Sequence, residues 1–202
     1  MNCEYCGKDA LYKCTACGKL LCADHMKLSV VCFSKEKNAT RAFKIHKVLT
    51  QEEKSQVREL AWRFWGEEEQ LAFGKRFIVA ELPAYVARTN DNLVGFASFA
   101  ETNDAIIIVA LGVLPNYQGC GVGTRLIEKV QSEAKKLQKR RMLVSTSNDN
   151  LPALAFYQSI DFQIFEVKPN AVAEKHGTLI QGIGGLPIRD ELRLQKRLEQ
   201  GV

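Results

Sequence analysis

The chain has 202 residues, of which 46% are hydrophobic, and a formal net charge of +5. This length allows one ordinary domain, or one domain with a small extra module. No apolar run approaches the roughly 18 residues that would suggest a membrane span, and the opening residues, MNCEYCGKDA, lack the apolar segment of a signal peptide. We therefore expect a cytoplasmic protein with no membrane partner. The mild positive charge favours anionic partners, and a phosphorylated cofactor explains it as well as nucleic acid does.

The N-terminal segment has the cysteine content of a metal-binding module, with six of the seven cysteines at positions up to Cys32. In a reducing compartment, clustered cysteines bind metal more often than they form disulfides. The first two pairs are spaced C-x2-C and the third C-x2-H, which lets two ligands hold a metal from one tight turn. So short a segment cannot bury a large core, and metal would supply folding free energy. The candidate zinc ligands are Cys3, Cys6, Cys14, Cys17, Cys22, His25, Cys32 and His46.

Residues 1–46 resemble the small cross-brace zinc fingers of the B-box and AN1 kind, especially in CTACGKLLCADH, residues 14–25. The resemblance implies two zinc ions per chain. Cys3, Cys6, Cys22 and His25 would hold one ion, and Cys14, Cys17, Cys32 and His46 would hold the other. His46 also lies in FKIHKV, which is predicted to be a strand. The alternative interpretation is that His46 is an ordinary strand residue and binds no metal. We assign residues 1–40 to this module and residues 41–202 to a larger domain.

The larger domain reads as alternating strands and helices. Thr50 and Glu53 form a capping box that begins a helix. Strands are predicted in FKIHKV, PAYVART, LVGFASFAET, AIIIVALGVL, RRMLVSTS and FQIFEV, and helices after the glycines at 119–123 and in LPALAFYQSI. AIIIVALGVL reads as buried on both faces, and IRDELRL alternates as an edge strand would. This order of strands and helices predicts an α/β fold with a mixed sheet, in which most of the antiparallel strand pairs come early in the chain.

A strand, a turn with Gly119, Gly121 and Gly123, and a helix start form an anion-binding arrangement. The first N–H groups of a helix lack intrahelical acceptors and carry partial positive charge. A phosphate or diphosphate is therefore the expected ligand. A P-loop is excluded because Thr124 and Arg125 follow the last glycine. A dinucleotide fingerprint matches weakly, because the spacing is G-x-G-x-G and the motif lies late in the chain. Coenzyme A is the third candidate.

The larger domain resembles the GNAT superfamily of N-acetyltransferases. The acyl-CoA motif of that family, [Q/R]-x-x-G-x-[G/A], matches Gln118, Gly121 and Gly123, and STSNDNLPALAFYQSIDF matches its downstream block. The resemblance implies the GNAT acyl-CoA N-acyltransferase fold, acetyl-CoA as cosubstrate and direct attack by an acceptor amine. It assigns to acetyl-CoA the residues Leu111, Val113, Leu114, Gln118, Gly119, Cys120, Gly121, Val122, Gly123, Thr124, Asn150 and Tyr157. It also implies that the strand before the turn separates from its neighbour, so that the backbone of Leu111, Val113 and Leu114 pairs with the pantetheine arm.

The resemblance also suggests catalytic residues. Tyr157 matches the tyrosine that often protonates the CoA sulfur, although it could simply pack against the cofactor. The general base is harder to assign. Some members of the family carry a glutamate in the central strand, and the corresponding position here lies near Ala105, which cannot accept a proton. Glu101 is the best remaining carboxylate, with a solvated strand end as its alternative. An amine can also lose its proton through ordered water, so a base is not obligatory.

Two functions follow from this reading. The first is an acetyl-CoA-dependent N-acetyltransferase whose zinc module selects the acceptor, with a protein or peptide amine favoured over a small molecule. The second is a catalytically weak, acyl-CoA-binding regulatory or interaction protein that uses the zinc finger to dock on protein or nucleic acid. Nucleic acid is the less favoured partner. Many GNAT relatives are dimers, so a homodimer is one expected state.

Overall fold

The computed structural model describes residues 2–4, 6–10, 12–13, 20–22, 42–90, 92–177 and 180–199. Two short antiparallel strands, β1 (Tyr12–Lys13) and β2 (Leu20–Leu21), lie in the N-terminal segment. The part of the chain from Lys44 to Arg197 contains a seven-stranded sheet with helices on both faces, so the predicted mixed α/β architecture is confirmed. In the part of the chain that is described, no helix is long and apolar enough to cross a membrane.

The large sheet is mixed, and its strands are β3 (Lys44–Lys47), β6 (Ala84–Thr89), β7 (Asn92–Glu101), β8 (Ala105–Val113), β9 (Arg141–Ser147), β10 (Gln163–Lys168) and β13 (Glu191–Arg197). Their order across the sheet is β10–β13–β9–β8–β7–β6–β3. Strands β8 and β9 are parallel, and the other neighbouring pairs of this sheet are antiparallel. A parallel pair needs a crossover connection, which helix α2 (Val122–Lys136) supplies.

One face of the sheet is covered by helix α1 (Gln51–Trp65) and by a hairpin of β4 (Glu69–Ala72) and β5 (Lys75–Ile78). The predicted capping box is confirmed: Thr50 Oγ1 accepts from Glu53 N at 3.2 Å, and Glu53 Oε2 accepts from Thr50 N at 3.3 Å. The apolar side of α1 packs on the sheet through Val57, Leu60 and Ala61. The β4–β5 hairpin was not predicted from the sequence.

The opposite face is covered by α2 and α3 (Leu151–Ser159). Leu126 and Val130 of α2 are fully buried there against Ile106 and Ile108 of β8. On the other face of β8, Ala105 and Ile107 are buried beneath the β4–β5 hairpin, which confirms that this strand is buried on both faces. Helix α4 (Ala171–His176) and the short strands β11 (Ile180–Gln181) and β12 (Pro187–Ile188) connect β10 to β13.

The prediction that IRDELRL forms an edge strand is wrong. Strand β13 lies between β9 and β10, and β10 is the edge. Two charged residues of β13 form ion pairs instead of facing water: Glu191 is buried, and the Arg193 guanidinium lies 2.8 Å from carboxylate oxygens of both Glu191 and Glu166 of β10. An alternating pattern of charges therefore arose here from buried ion pairs.

Candidate active site

The central feature of the site is an opening between β8 and β9. The two strands pair in parallel from Ala105↔Arg141 to Ile108↔Val144. Beyond this pair β8 continues to Val113 and β9 to Ser147, without pairing to each other. The strands therefore separate toward their carboxyl ends, as the sequence resemblance implied.

A β-bulge lies where the separation begins. Ser98 of β7 faces Ala110 and Phe99 faces Ile108, which leaves Val109 as the extra residue on β8. A bulge bends its strand and increases the local twist. Since Val109 directly follows the last residue that pairs with β9, the bulge accounts for the divergence of β8 from β9.

Beyond the bulge, one edge of β8 is hydrogen-bonded to β7. The N–H of Leu114 donates to Val94 O at 2.9 Å, so it points away from the opening. The N–H and C=O of one residue point to the same edge of a strand, and those of the next residue point to the other edge. The backbone groups of Leu111 and Val113 therefore face the opening. Val113 O accepts from Gln118 Nε2 at 2.9 Å. Of the three residues predicted to pair with the pantetheine arm, Leu114 thus uses its N–H within the sheet.

The glycine turn closes the wide end of the opening. Gly119 and Gly121 have φ values of +76° and +82°, in the left-handed region that favours glycine. Gly121 is the N-cap of α2, and no side chain caps this helix. The N–H groups of the first three residues, Val122, Gly123 and Thr124, consequently have no intrahelical acceptor. A Cβ placed on Gly121 would have no atom within 4 Å, so there is room beside it.

Gly123 serves packing rather than turn geometry. A Cβ at this position would lie 3.3 Å from Cζ of Phe156, on helix α3. The small residue therefore lets the start of α2 lie against α3. Cys120 is partly exposed within the turn, and its Sγ makes a weak contact with Gln118 O at 3.8 Å.

Helix α3 carries the other two residues predicted on the cofactor side. Asn150 is its N-cap, and Oδ1 accepts from Ala153 N at 3.2 Å. Tyr157 is 6% exposed and packs edge-on against the rings of Phe156 and Phe162. Burial raises the pKa of the Tyr157 hydroxyl far above its ordinary value, because the phenolate would lose its hydration. The group is therefore a neutral, protonated phenol.

Glu101 lies away from the opening. It is the last residue of β7 and faces Ile106, on the paired part of β8. Its carboxylate is half exposed, with Oε2 3.5 Å from Nζ of Lys139. This placement fits a solvated strand end and gives no support to the predicted base role.

Several residues around the opening were missed from the sequence. A Cβ at Gly112 would lie 2.5 Å from the ring of Phe64, so this glycine lets α1 approach β8. Asn148 and Asp149 follow β9 and bind the segment that leads into β13. The polar run SNDN directly after a buried strand was the available signal for the last two. A single glycine in an apolar strand was the signal for the first.

The N-terminal segment brings three predicted metal ligands together. The Sγ atoms of Cys3, Cys6 and Cys22 all lie within 4.8 Å of one another, and those of Cys6 and Cys22 are 3.7 Å apart. Four sulfurs around zinc at about 2.3 Å would be spaced by about 3.8 Å, so the spacing fits zinc. Gly7 has φ +74° and donates its N–H to Cys3 O at 2.9 Å, which forms the tight turn between the first two thiols.

The other predicted ligands are not placed together by the described residues. Cys14, Cys17, His25 and Cys32 lie outside them. His46 lies on β3 opposite Val86, and its Nε2 is 2.6 Å from Oε1 of Glu53. A second zinc site that includes His46 stays a prediction.

Comparisons with known proteins agree with this geometry. A profile described as the Acetyltransferase (GNAT) family matches residues 53–162, which include the opening and the glycine turn. The chain is 32% identical over 143 residues to the uncharacterised protein YxbD of Bacillus subtilis, covering 68% of this chain and 88% of that protein. It is 30% identical over 90 residues to the ribosomal protein bS18-alanine N-acetyltransferase of Haemophilus influenzae, covering 44% of this chain and 60% of that protein.

A GNAT family acetyltransferase from Elizabethkingia anophelis, solved with acetyl-CoA bound, has the same fold, with a TM-score of 0.58 and 18% identity. The similarity covers 77% of this chain and 98% of that structure. The family profile and the relative in Bacillus subtilis lead to one conclusion: the chain belongs to the Acetyltransferase (GNAT) family.

Proposed function

We propose that the protein is an acetyl-CoA-dependent N-acetyltransferase in which an acceptor amine attacks the acetyl group directly. The observation that carries the proposal is the opening between β8 and β9, which starts at the Val109 bulge and ends on the uncapped N-terminus of α2. Bound acetyl-CoA supplies the activated acetyl group. The chain supplies the groups that hold it, stabilise charge and donate a proton.

The turn and the start of α2 would bind the diphosphate. The N–H groups of Val122, Gly123 and Thr124 lack acceptors, and the helix N-terminus favours negative charge. The backbone of Leu111 and Val113 would pair with the pantetheine arm along the open side of β8. Asn150 uses Oδ1 for its helix cap, which leaves the Nδ2 hydrogens to donate to the same arm.

The bulge would stabilise charge on the acetyl oxygen. A bulged residue is left out of the cross-strand ladder, so the N–H of Val109 can donate at the narrow end of the opening. A fixed donor at the site of developing negative charge lowers the barrier to acyl transfer. Tyr157 would donate its proton to the departing sulfur. Burial raises the pKa of Tyr157 and so keeps its phenol protonated, and a thiolate that forms beside it, also deprived of hydration, would accept that proton.

The acceptor is most simply an α-amine. Glu101 does not point into the opening, so the acceptor must reach its unprotonated form with little help from a carboxylate base. An α-amino group has a pKa near 8, against about 10.4 for lysine, so the unprotonated fraction at neutral pH is roughly 200-fold larger for the α-amine. The Haemophilus influenzae relative is named for N-acetylation of an alanine of a ribosomal protein. Both points favour a protein or peptide N-terminus.

The three thiols support a zinc ion in the N-terminal module, held by Cys3, Cys6 and Cys22 with His25 as the fourth ligand by sequence. The module would select or present the acceptor. Native mass spectrometry should find at least one zinc per chain, and Cys6→Ser should lower the zinc affinity by a factor of about ten or more. Cys120→Ser is the matched control, because its thiol lies outside the cluster, and it should keep full zinc content. A metal-free wild-type chain would exclude the zinc proposal.

The transferase proposal is tested by binding and turnover measured separately. Calorimetry should show one acetyl-CoA bound per chain. Mass spectrometry should then detect acetylation in a panel that contains a peptide with a free N-terminal alanine, an N-terminally blocked peptide with one lysine, L-methionine and spermidine. We expect the alanyl peptide to be the best acceptor. Binding of acetyl-CoA without turnover of any panel member would instead support the regulatory, acyl-CoA-binding function.

A further inference from the structure

The two edges of the large sheet differ in how well they are protected from pairing with another strand. The outer strand at one edge is β3, which has four residues and carries Lys44 and Lys47. Short strands and lysines are common protection for a sheet edge. The outer strand at the other edge is β10, which has six residues, and no described strand pairs with its free side. This second edge is therefore the one that can accept another strand.

The exposed side chains of β10 are largely apolar. Ile164, Phe165 and Val167 are 43%, 42% and 50% exposed. Ile164 pairs with Leu194 and Val167 pairs with Leu192, and Phe165 is the extra residue of a bulge between these two pairs. Cross-strand partners share a face of the sheet, so Ile164 and Val167 lie on the face where Leu194 is buried against the helices α2 and α3. The bulge thus places two exposed aliphatic side chains on one face of the edge.

The two ends of β10 carry opposite charges. Asp161, two residues before the strand, has a side chain that is 87% exposed, and the side chain of Lys168, its last residue, is 47% exposed. Each has a partner within the chain, because Lys196 Nζ lies 3.6 Å from Asp161 Oδ2 and Glu166 Oε1 lies 2.8 Å from Lys168 Nζ. Two copies of β10 in antiparallel pairing would bring Asp161 of each copy near Lys168 of the other. Parallel pairing would bring like charges together, which is unfavourable.

We propose that β10 is the contact surface of a homodimer, in which β10 of one copy pairs antiparallel with β10 of a second copy. Such a pair has a two-fold axis and closes on itself, so assembly stops at two copies. With the axis between Phe165 and Glu166, Ile164 of each copy lies opposite Val167 of the other. These four side chains share the face that carries α2 and α3. The contact pairs backbone groups along the free edge and removes apolar side chains from water.

The dimer leaves the proposed acetyl-CoA site accessible. Strands β13 and β9 lie between β10 and the opening. With about 4.8 Å between neighbouring strands, the opening lies roughly 14 Å from the two-fold axis, and the two openings of a dimer lie roughly 30 Å apart. The contact surface is therefore separate from the site of acetyl transfer, and loss of the dimer should not weaken acetyl-CoA binding.

The first test changes the apolar edge. Sedimentation velocity over a wide range of protein concentration should show a monomer–dimer equilibrium for the wild type. Val167→Lys gives β10 the protection that lysines give β3. It should raise the dimer Kd at least about a hundredfold, because each dimer would bury two ammonium groups beside Ile164. Leu49→Lys, at an exposed leucine beside β3 on the opposite edge, is the matched control and should leave the dimer Kd unchanged.

The second test examines the direction of the two strands. Asp161→Lys and Lys168→Asp, each alone, would put like charges together at both ends of the contact. Each should raise the dimer Kd about three- to tenfold, as expected for two exposed ion pairs. The double variant exchanges the two charges and should return the dimer Kd to near its wild-type value. A double variant that dimerises no better than the single variants would refute the antiparallel arrangement.

Hydrogen exchange locates the interface independently. The amides of β10 should exchange more slowly in concentrated than in dilute wild-type protein, and Val167→Lys should remove this difference. Circular dichroism checks that the variants fold, and Ile164→Lys repeats the test from the other side of the contact. A wild type that stays monomeric over the whole concentration range would overturn the proposal. A dimer that both lysine variants leave intact would also overturn it, because its interface would lie elsewhere.

Discussion

The substitution Gly121→Ala separates the two demands on the glycine turn, backbone conformation and ligand access. Gly121 has φ +82°, and an alanine held in the left-handed region costs roughly 1–2 kcal/mol. No atom lies within 4 Å of the added Cβ, so steric clash within the protein adds nothing. We therefore expect the free energy of unfolding to fall by about 1–2 kcal/mol, which is roughly 2–8 °C in Tm for a domain of this size.

The same substitution should also weaken the binding of acetyl-CoA. The Cβ occupies the space beside the N–H groups of Val122, Gly123 and Thr124, where we place the diphosphate. Loss of one hydrogen bond to a charged group costs about 1.5–3 kcal/mol, so the acetyl-CoA Kd should rise about 10- to 100-fold. Calorimetric titration with acetyl-CoA measures this, and thermal unfolding measures the stability.

Gly74→Ala is the matched control. Gly74 has φ +73° and nothing within 4 Å of its would-be Cβ, yet it lies at the tip of the β4–β5 hairpin, away from the turn. The two variants should lose similar stability, and only Gly121→Ala should lose acetyl-CoA affinity. Equal acetyl-CoA affinities in the two variants would refute the assignment of the turn as the diphosphate site.

Three further outcomes follow from single residues. Tyr157→Phe should lower kcat about 10- to 100-fold at an unchanged acetyl-CoA Kd, whereas an unchanged kcat would leave the ring a packing role only. Glu101→Gln should leave kcat/KM within about twofold, because its partner Lys139 lies outside the opening; a larger fall would restore the base role. Hydrogen bonds from Leu49 N, and then contacts with His46 and Thr50 N, lower the pKa of Glu53 from 4.5 to about 2. The ionised Glu53 carboxylate therefore stabilises the folded state fully above about pH 5, and this contribution is lost as the pH falls toward 2. Acid unfolding should then show a wild-type advantage over Glu53→Gln of about 1–2 kcal/mol at neutral pH that vanishes near pH 2, with Glu52→Gln as the control.

The sequence predicted the local features well, because they depend on neighbouring residues. The capping box needs only Thr50 and Glu53, and the glycine turn needs only backbone freedom at two positions. Both were read from spacing alone. The family resemblance then supplied what spacing could not, namely that the strand before the turn separates from its neighbour.

The features missed from the sequence depend on residues distant in the chain. The bulge at Val109 is defined by pairing with another strand, because Ser98 and Phe99 of β7 pair with the residues on either side of it. An apolar run in the sequence does not reveal such a register shift. The interior position of β13 was also missed because it depends on a distant residue. The charged side chains of β13 suggest a solvated edge strand, but Arg193 forms an ion pair with Glu166 on another strand. Alternation reports which residues share a face, and it does not report whether that face meets water or an ion-pair partner.

Strand β8 connects both sides of the site through its backbone more than through its side chains. Beyond the bulge, one edge of the strand is hydrogen-bonded to β7 and the other edge is open. On the face opposite α2, Gly112 brings Phe64 of α1 directly against the strand. A side chain there would push α1 away from β8, and a regular strand without the bulge would keep β8 paired to β9. The opening therefore depends on an extra residue and a missing side chain, at positions 109 and 112, and no ionisable group of this strand is required for it.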